Sequence, residues 1–310
     1  MTLTELRYIT AVARERHFGR AAAACFVSQP TLSVAVKKLE EELGVTLFER
    51  THTDISTTPI GAKVVDQAQR VLEEAQNLKT IVSSAGDPLK GPLRVGVIYT
   101  IGPYLLPSLI PALNDLAPEM PLLVEEGYTA QLRKKLKNGE LDVIIIALPF
   151  EEAGVLTAPV FEEPFIVLIP GSHPWIEKPV ITIDDLPQET VLLLGQGHCF
   201  RDQVLEACPE CVGTTADGNL QAALEGSSLE TIRHMVASGV GVTVLPCTAA
   251  GADLYPSRMV QIKRFEGAPP SRVAALAWRK SFVRKEAIAV LHQAINQCAL
   301  TCVEMIPPET

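Results

Sequence analysis

The sequence predicts an α-helical winged helix-turn-helix head, a long linker helix, and an α/β regulatory domain of two lobes. Three observations point there. Basic groups gather at the N-terminus of an otherwise acidic chain. A short alanine-rich helix is followed by a tight turn and a capped helix. Beyond Gly91, short β-branched apolar runs alternate with helical segments. The expected boundaries are 1–58 for the head, 59–88 for the linker and dimerisation helix, and 91–300 for the regulatory domain.

A chain of 310 residues suits about two domains. Hydrophobic content of 47% against 20% charged residues describes a globular protein with a sizeable interior. Met1-Thr2-Leu3-Thr4-Glu5-Leu6-Arg7 carries charge where a secretory leader needs an apolar core. No apolar run approaches the ~18 residues of a membrane span. A cytoplasmic protein without membrane partner, cofactor or metal is expected, and a regulator rather than an enzyme. The seven cysteines should then be thiols by default, and any disulfide transient and signalling.

The net charge of −9 disfavours nucleic acid as a partner, but the charge is uneven. Residues 1–39 carry Arg7, Arg14, Arg16, Arg20, Lys37 and Lys38 against Glu5 and Glu15, which leaves +4 there and −13 elsewhere. A basic head on an acidic body is the asymmetry of a DNA reader fused to another module.

Leu3, Leu6, Ile9, Val12 and Ala13 line one face of a first helix. Gly19 to Cys25 forms the alanine-rich second, and Phe26-Val27 the turn. Ser28 caps a third helix, with Pro30 in its first turn and Gly44 at its end. Leu32, Val36, Leu39 and Leu43 form the buried stripe. Opposite it, Ser28, Gln29, Thr31 and Ser33 are short enough to approach base edges, while Lys37, Lys38 and the free amides suit phosphates. An ordinary amphipathic surface helix is the simpler alternative, but the flanking helix and turn favour DNA reading. Val45 to Arg50 and the polar stretch to Thr58 read as a two-stranded wing. Thr58-Pro59 opens the linker helix, along which Ile60, Val64, Ala68, Val71, Ala75, Leu78 and Val82 form a seam. Pairing with a second copy is expected; folding back onto the same chain is the alternative.

The later strands are expected at Leu93–Ile98, Leu122–Glu125, Val143–Ala147, Phe165–Ile169, Val191–Leu194, Val240–Leu245 and Val273–Trp278. Their alternation with helices predicts parallel sheets in two lobes around a cleft.

Ala21-Ala22, Ser28-Gln29-Pro30-Thr31-Leu32-Ser33, Lys38-Leu39-Glu40, Leu43-Gly44, Leu47-Phe48-Glu49-Arg50 and Thr58-Pro59-Ile60-Gly61 resemble the LysR-type regulators. The resemblance runs through the whole chain. It implies a regulatory domain like the periplasmic solute-binding proteins, promoter DNA and RNA polymerase as partners, and a homotetramer built as a dimer of dimers. It also implies DNA contacts by Ser28, Gln29, Pro30, Thr31, Ser33, Lys37, Lys38 and Arg50. One departure is the wing: Thr51-His52-Thr53-Asp54 is neutral to acidic where the family tends to be basic.

A second constellation runs from Gly195 to Cys208. Cys199 follows a strand and a glycine turn near the start of a helix, where backbone amides stabilise a thiolate. His198 and Asp202 are near enough to exchange protons beside it. If residues 200–208 are helical, Cys199 and Cys208 stand roughly 13 Å apart at ~1.5 Å per residue. A disulfide needs Cα atoms within about 7 Å, so joining them requires refolding. This segment resembles the peroxide-sensing LysR-type regulators. The resemblance implies that hydrogen peroxide oxidises Cys199 to a sulfenic acid, which Cys208 captures as a disulfide. It further implies that Thr100, Thr129, His198 and Asp202 hold the peroxide or a water. Alternatives stay open. The cleft of such a regulator can instead take a small organic metabolite. The threonines can be structural, and His198 a simple helix cap. Cys208-Pro209-Glu210-Cys211 with Cys199 and His198 can form a zinc site, or the whole a thiol peroxidase. Cys211 can compete with Cys208. Cys25, Cys247 and Cys298 read as buried apolar residues and Cys302 as an exposed residue of the tail.

Overall fold

The computed structural model of the protein describes residues 1–50, 55–83, 87–211, 225–250, 258–300 and 302–308. It divides into two compact units, Met1–Gly86 and Asp87–Thr310.

The first unit runs α1 (Leu3–Glu15), α2 (Phe18–Ala24), α3 (Gln29–Leu43), β1 (Phe48–Arg50), β2 (Ile55–Thr57) and α4 (Pro59–Ser83). Each early helix starts on a side-chain cap. The Thr2 hydroxyl accepts from the Glu5 amide while the Glu5 carboxylate accepts from the Thr2 amide. His17 caps α2, and Ser28 caps α3 by accepting from the Thr31 amide at 3.3 Å. Gly44 ends α3 in the left-handed region, at φ 69°. Leu6, Ile9, Val12, Phe18, Ala21, Ala22, Leu32, Val36 and Leu39 make one core. Leu3 and Leu43, expected on those stripes, are exposed because each sits at a helix end beyond its neighbours' reach. The Glu40 carboxylate accepts from the amides of Leu47 (2.7 Å) and Phe48 (3.2 Å), which ties α3 to the antiparallel wing β1–β2. A Cβ at Gly61 would stand 2.1 Å from the Leu47 carbonyl oxygen, so only glycine lets α4 start this close to the wing.

The expected seam of α4 divides. Ala68 is buried in the head's own core, with Val64, Val65 and Leu72 packed beside it. Ile60, Val71 and Leu78 are exposed, and Val82 lies outside the described side chains. Folding onto the same chain, the alternative above, therefore accounts for part of this helix.

The second unit contains β3 (Leu93–Ile98), α5 (Gly102–Leu116), β4 (Leu122–Gly127), α6 (Thr129–Lys137), β5 (Val143–Ala147) and β6 (Val155–Pro170). Then follow β7 (Val191–Leu194), α7 (Cys199–Ala207), β8 (Glu225–Gly226), α8 (Leu229–Ala237), β9 (Val242–Pro246), β10 (Val260–Lys263), β11 (Ser271–Arg279), α9 (Lys285–Asn296) and β12 (Glu304–Met305). The strand order is β4-β3-β5-β11-β6-β9-β7-β8, with β10 and β12 also on β6. β3 pairs in parallel with β4 and β5, as β7 does with β8 and β9. The expectation of purely parallel sheets is corrected: β6 and β11 run antiparallel to their neighbours. β6 is long enough to contribute to both lobes, and β11 returns alongside it. Each lobe has its own core, one around β3, β5 and α9 and the other around β7, β9 and α8. Val303 packs against both.

The expectation that all cysteines are thiols is also corrected. Cys247 and Cys302 are bonded, with Cα atoms 6.1 Å apart, as are Cys208 and Cys211 at 5.5 Å. Cys25, Cys199 and Cys298 are free.

Candidate redox site and nucleic-acid interface

In the second unit, a small pocket lies at the carboxyl ends of β3 and β4 and the start of α7. Ile98, Tyr99, Thr100, Gly127, Tyr128, Thr129, Gly197, His198 and Cys199 line it. This is where parallel α/β sheets place their ligands. Its water-accessible core is about 10 Å³, room for one water-sized molecule. The lobe cores supply its walls, since Cys199 begins α7 of one lobe yet packs against the core of the other.

The local sequence explains the placement. Gly197 takes φ 97°, a left-handed turn that delivers His198 to the N-cap position and Cys199 to the first turn of α7. Thr129 likewise occupies the first position of α6 behind Tyr128. Two helix N-termini thus contribute their first residues to one pocket, an arrangement that favours negative charge. Tyr128 meets both Tyr99 and His198 edge to face, the latter with ring centroids 4.7 Å apart, and Tyr99 and His198 are tilted to each other.

Two buried polar atoms in the lining have no hydrogen-bond partner among the described residues: Thr129 Oγ1 and His198 Nε2. Burial pushes the His198 imidazole below its ordinary range, and its hydrogen bond with the Ser227 backbone opposes this only in part. The ring is therefore neutral at pH 7. Nε2 has no partner among the described residues and is open to a guest.

Thr100 differs from Thr129. It is 2% exposed, and its hydroxyl and carbonyl each accept from the Arg272 guanidinium at 2.8 Å. Arg272 also donates from Nε to Glu163 at 2.8 Å, and its charge is paired there with both side chains buried. Glu163 in turn accepts from the amide and hydroxyl of Thr248. Phe200 carries this network to α7: Arg272 lies over its ring at 5.3 Å, and Phe165 meets it edge to face. Sequence reading missed Arg272 and Glu163, whose only local signal is a charge inside an apolar strand.

Asp202 is not among the residues that line this pocket; it is exposed on the first turn of α7, where its charge complements the helix N-terminus. Cys208 is also outside the pocket. It is the C-cap of α7, buried in the lobe core and bonded to Cys211. The intervening α7 is helical throughout, so Cys199 and Cys208 are separated by roughly 13 Å at ~1.5 Å per residue. Arg201 anchors the helix by donating to the Leu194 carbonyl at 2.8 Å and pairing with Glu225. Gln203 donates to the Leu148 carbonyl across the lobes at 3.3 Å. Among the described residues, no three His, Cys, Asp or Glu side chains group as a metal site.

In the first unit, α3 presents Gln29, Pro30, Thr31, Lys37 and Lys38 to solvent, with Ser33 half-buried. The Ser28 and Thr31 hydroxyls are 2.8 Å apart and bond each other in the cap, so neither is idle. Lys37 faces Glu41 at 3.7 Å and Lys38 faces Glu5 at 4.0 Å, exposed pairs that a phosphate readily displaces. Arg50 ends β1, and its side chain, like residues 51–54 of the wing, lies outside the described residues. Phe26, 96% exposed at φ 56° in the turn before α3, was read only as a turn residue.

Residues 3–62 match the family of bacterial regulatory helix-turn-helix proteins, lysR family, and residues 86–299 match the LysR substrate binding domain. The chain belongs to the LysR family of transcriptional regulators. Among its LysR-type relatives, the DNA-binding transcriptional dual regulator OxyR of Escherichia coli (strain K12) is 40% identical over 296 residues, covering 96% of this chain and 95% of the relative. A full-length OxyR from Pseudomonas aeruginosa is 53% identical, with a TM-score of 0.74 over 100% of this chain and 99% of that one. A hydrogen-peroxide-bound mutant OxyR of Corynebacterium glutamicum is 31% identical, with a TM-score of 0.63 over 96% and 92%.

Proposed function

We propose that this LysR-type protein is a peroxide-responsive transcription regulator, in which Cys199 is the sensing thiol and Cys208 the thiol that captures its sulfenic acid. One observation carries the reading: a water-sized pocket that sets Cys199 beside two unsatisfied buried polar atoms, Thr129 Oγ1 and His198 Nε2. Hydrogen peroxide has the size and the donors and acceptors for that space. A metabolite beside Cys199 is disfavoured, since pockets for organic ligands run to about 300–1,000 Å³ and this one holds about 10 Å³.

Thr129 and neutral His198 hold the peroxide, and Thr100, fixed by Arg272, closes the pocket floor. Asp202 stands outside the lining and acts on α7 rather than on the peroxide. The Cys199 thiolate attacks one peroxide oxygen, the O–O bond breaks, and the leaving hydroxide takes a proton to become water. With the Cys208–Cys211 bond first opened by a thiol reductant, the Cys208 thiol then displaces water from the sulfenic sulfur. Because α7 holds the two apart, this step unwinds the helix and breaks the contacts of Arg201, Gln203 and Phe200. The Gln203 bond across the lobes makes that unwinding a change in the whole regulatory unit.

Gln29, Pro30, Thr31 and Ser33 read the promoter's bases, Ser28 fixes the helix start, and Lys37, Lys38 and Arg50 hold its phosphates. The exposed Ile60, Val71 and Leu78 of α4 suit a partner helix, in a homotetramer that engages RNA polymerase. Mass-spectrometric mapping of the full-length protein, reduced beforehand and alkylated after peroxide, tests the sensor. One equivalent of peroxide should join Cys199 to Cys208, and Cys199→Ser should abolish the bridge. Both thiols free after oxidation would remove the reading.

A further inference from the structure

Cys208 has two prospective partners in this chain, and the fold treats them unequally. Cys211 sits in a short turn, Pro209–Cys211, directly behind the C-cap of α7. It is buried in the same core as Cys208, and their Cα atoms are 5.5 Å apart with α7 fully wound. That spacing is inside the range a disulfide accepts. Cys199 reaches Cys208 only after α7 unwinds. The unwound state gives up the helix hydrogen bonds, the burial of Phe200 and Val204, the Arg201–Glu225 pair and the Gln203 bond to Leu148. A Cys208–Cys211 bond keeps all of them. The folded lobe therefore favours Cys211 over Cys199 as the final partner.

We propose that Cys211 is a second resolving thiol, which takes Cys208 from Cys199 by disulfide exchange and so ends the oxidised signal. The inference rests on the peroxide reading of Cys199. The Cys211 thiolate attacks the Cys208 sulfur of the Cys199–Cys208 bridge. A new S–S bond forms between Cys208 and Cys211, the old one breaks, and its electron pair leaves on Cys199 as a thiolate. Cys199 is released to the first turn of α7, a position that stabilises the departing anion as the helix rewinds. Over the three steps one peroxide becomes two waters, Cys208 and Cys211 lose two electrons and two protons, and Cys199 ends as it began.

The outcome differs from a simple two-cysteine switch. After one cycle α7 is wound and Cys199 is reduced, yet Cys208 is already occupied. The protein returns to its resting architecture without a reductant, and it stays unable to form a second Cys199–Cys208 bridge until a dithiol reductant opens Cys208–Cys211. Cys211 thereby sets the duration of the response.

The test follows disulfides in time. Full-length protein is reduced, desalted without oxygen and given one equivalent of hydrogen peroxide. It is then quenched by alkylation at intervals for peptide mapping. Wild type should show Cys199–Cys208 first, then its loss in step with the appearance of Cys208–Cys211 and of alkylatable Cys199. In Cys211→Ser and Cys211→Ala the Cys199–Cys208 bridge should persist until reductant is added. In Cys199→Ser the Cys208–Cys211 bond should fail to form over the same interval. Persistence of Cys199–Cys208 in wild type with Cys211 still alkylatable overturns the relay and leaves the sensor reading intact. So does equal formation of Cys208–Cys211 in Cys199→Ser, which means direct oxidation of the pair. A Cys211→Ser protein that never forms Cys199–Cys208 removes the sensor reading itself.

Discussion

Arg272 holds Thr100 by both its hydroxyl and its carbonyl, each at 2.8 Å, whereas the Thr129 hydroxyl across the same pocket has no partner among the described residues. Two threonines of one pocket therefore have different physical duties. Thr100→Val leaves a buried guanidinium N–H unsatisfied and should cost about 1–3 kcal/mol of stability. Thr129→Val removes a hydroxyl that bonds nothing among the described residues, so stability should hold while peroxide loses a partner. Denaturant unfolding should separate the two variants, and stopped-flow oxidation of Cys199 should be slowed in both. Parental oxidation by Thr129→Val would mean that its hydroxyl does not hold the oxidant.

His198 supplies a pH dependence with a definite sign. Burial depresses its folded value below the ordinary 6.5, so between those two values the unfolded chain binds a proton that the folded chain refuses. Its contribution to stability is complete above pH 6.5 and is lost as pH falls from there through the folded value. An NMR titration should find the His198 ring titrating below 6.5. His198→Gln should flatten the acid limb of stability. A His198 signal that titrates at or above 6.5 would contradict its burial as a neutral ring.

In the DNA head, the structure separates Gln29 from Lys37. Gln29 is exposed at the start of α3 with both an amide donor and an acceptor to offer, while Lys37 carries only charge and is balanced by Glu41 at 3.7 Å. Gln29→Ala should cost about 1–3 kcal/mol at the preferred site and little elsewhere. Lys37→Ala should weaken binding to every sequence alike and lower the salt slope by about one. Anisotropy titrations on specific and scrambled duplexes at several salt concentrations distinguish them. A uniform loss for Gln29→Ala would place it on the backbone instead.

What the sequence made legible was local. Ser28, Pro30 and Gly44 mark α3 because caps and turn residues act within a few positions, and Gly197 announced α7 for the same reason. Cys199, Thr100 and Thr129 all line one pocket, although only a resemblance joined them beforehand. Arg272 and Glu163 were invisible because they are 109 positions apart and meet only as cross-strand partners of β6 and β11. β6 itself was read as Phe165–Ile169, since its first half mixes exposed and buried positions without a clean alternation. The parallel expectation failed with it. Nearness in sequence and the resemblance both put Asp202 beside Cys199, whereas its place one helical turn further along α7 leaves its side chain in solvent.

The cysteine pairing between Cys247 and Cys302 was equally hidden, and it bears on the C-terminal segment. Cys302 directly precedes Val303, which packs on both lobe cores, and β12, whose ladder with β6 is Glu304 and Met305, extended by the Ile306 amide donating to the Val160 carbonyl at 2.9 Å. So short a ladder gives a strand little hold of its own. The bond to Cys247 closes a loop across 55 positions, and such a crosslink restrains the unfolded chain by about 2–4 kcal/mol. Under non-reducing conditions Cys302→Ser should therefore lower the stability of the regulatory unit by that amount, and the amides of Glu304 and Met305 should exchange faster with solvent. The comparison uses wild type and variant without reductant, because reductant would also open Cys208–Cys211. Equal unfolding midpoints with unchanged exchange would mean that β12 is held by packing of Val303 and its own ladder, and that the crosslink contributes nothing to the folded unit.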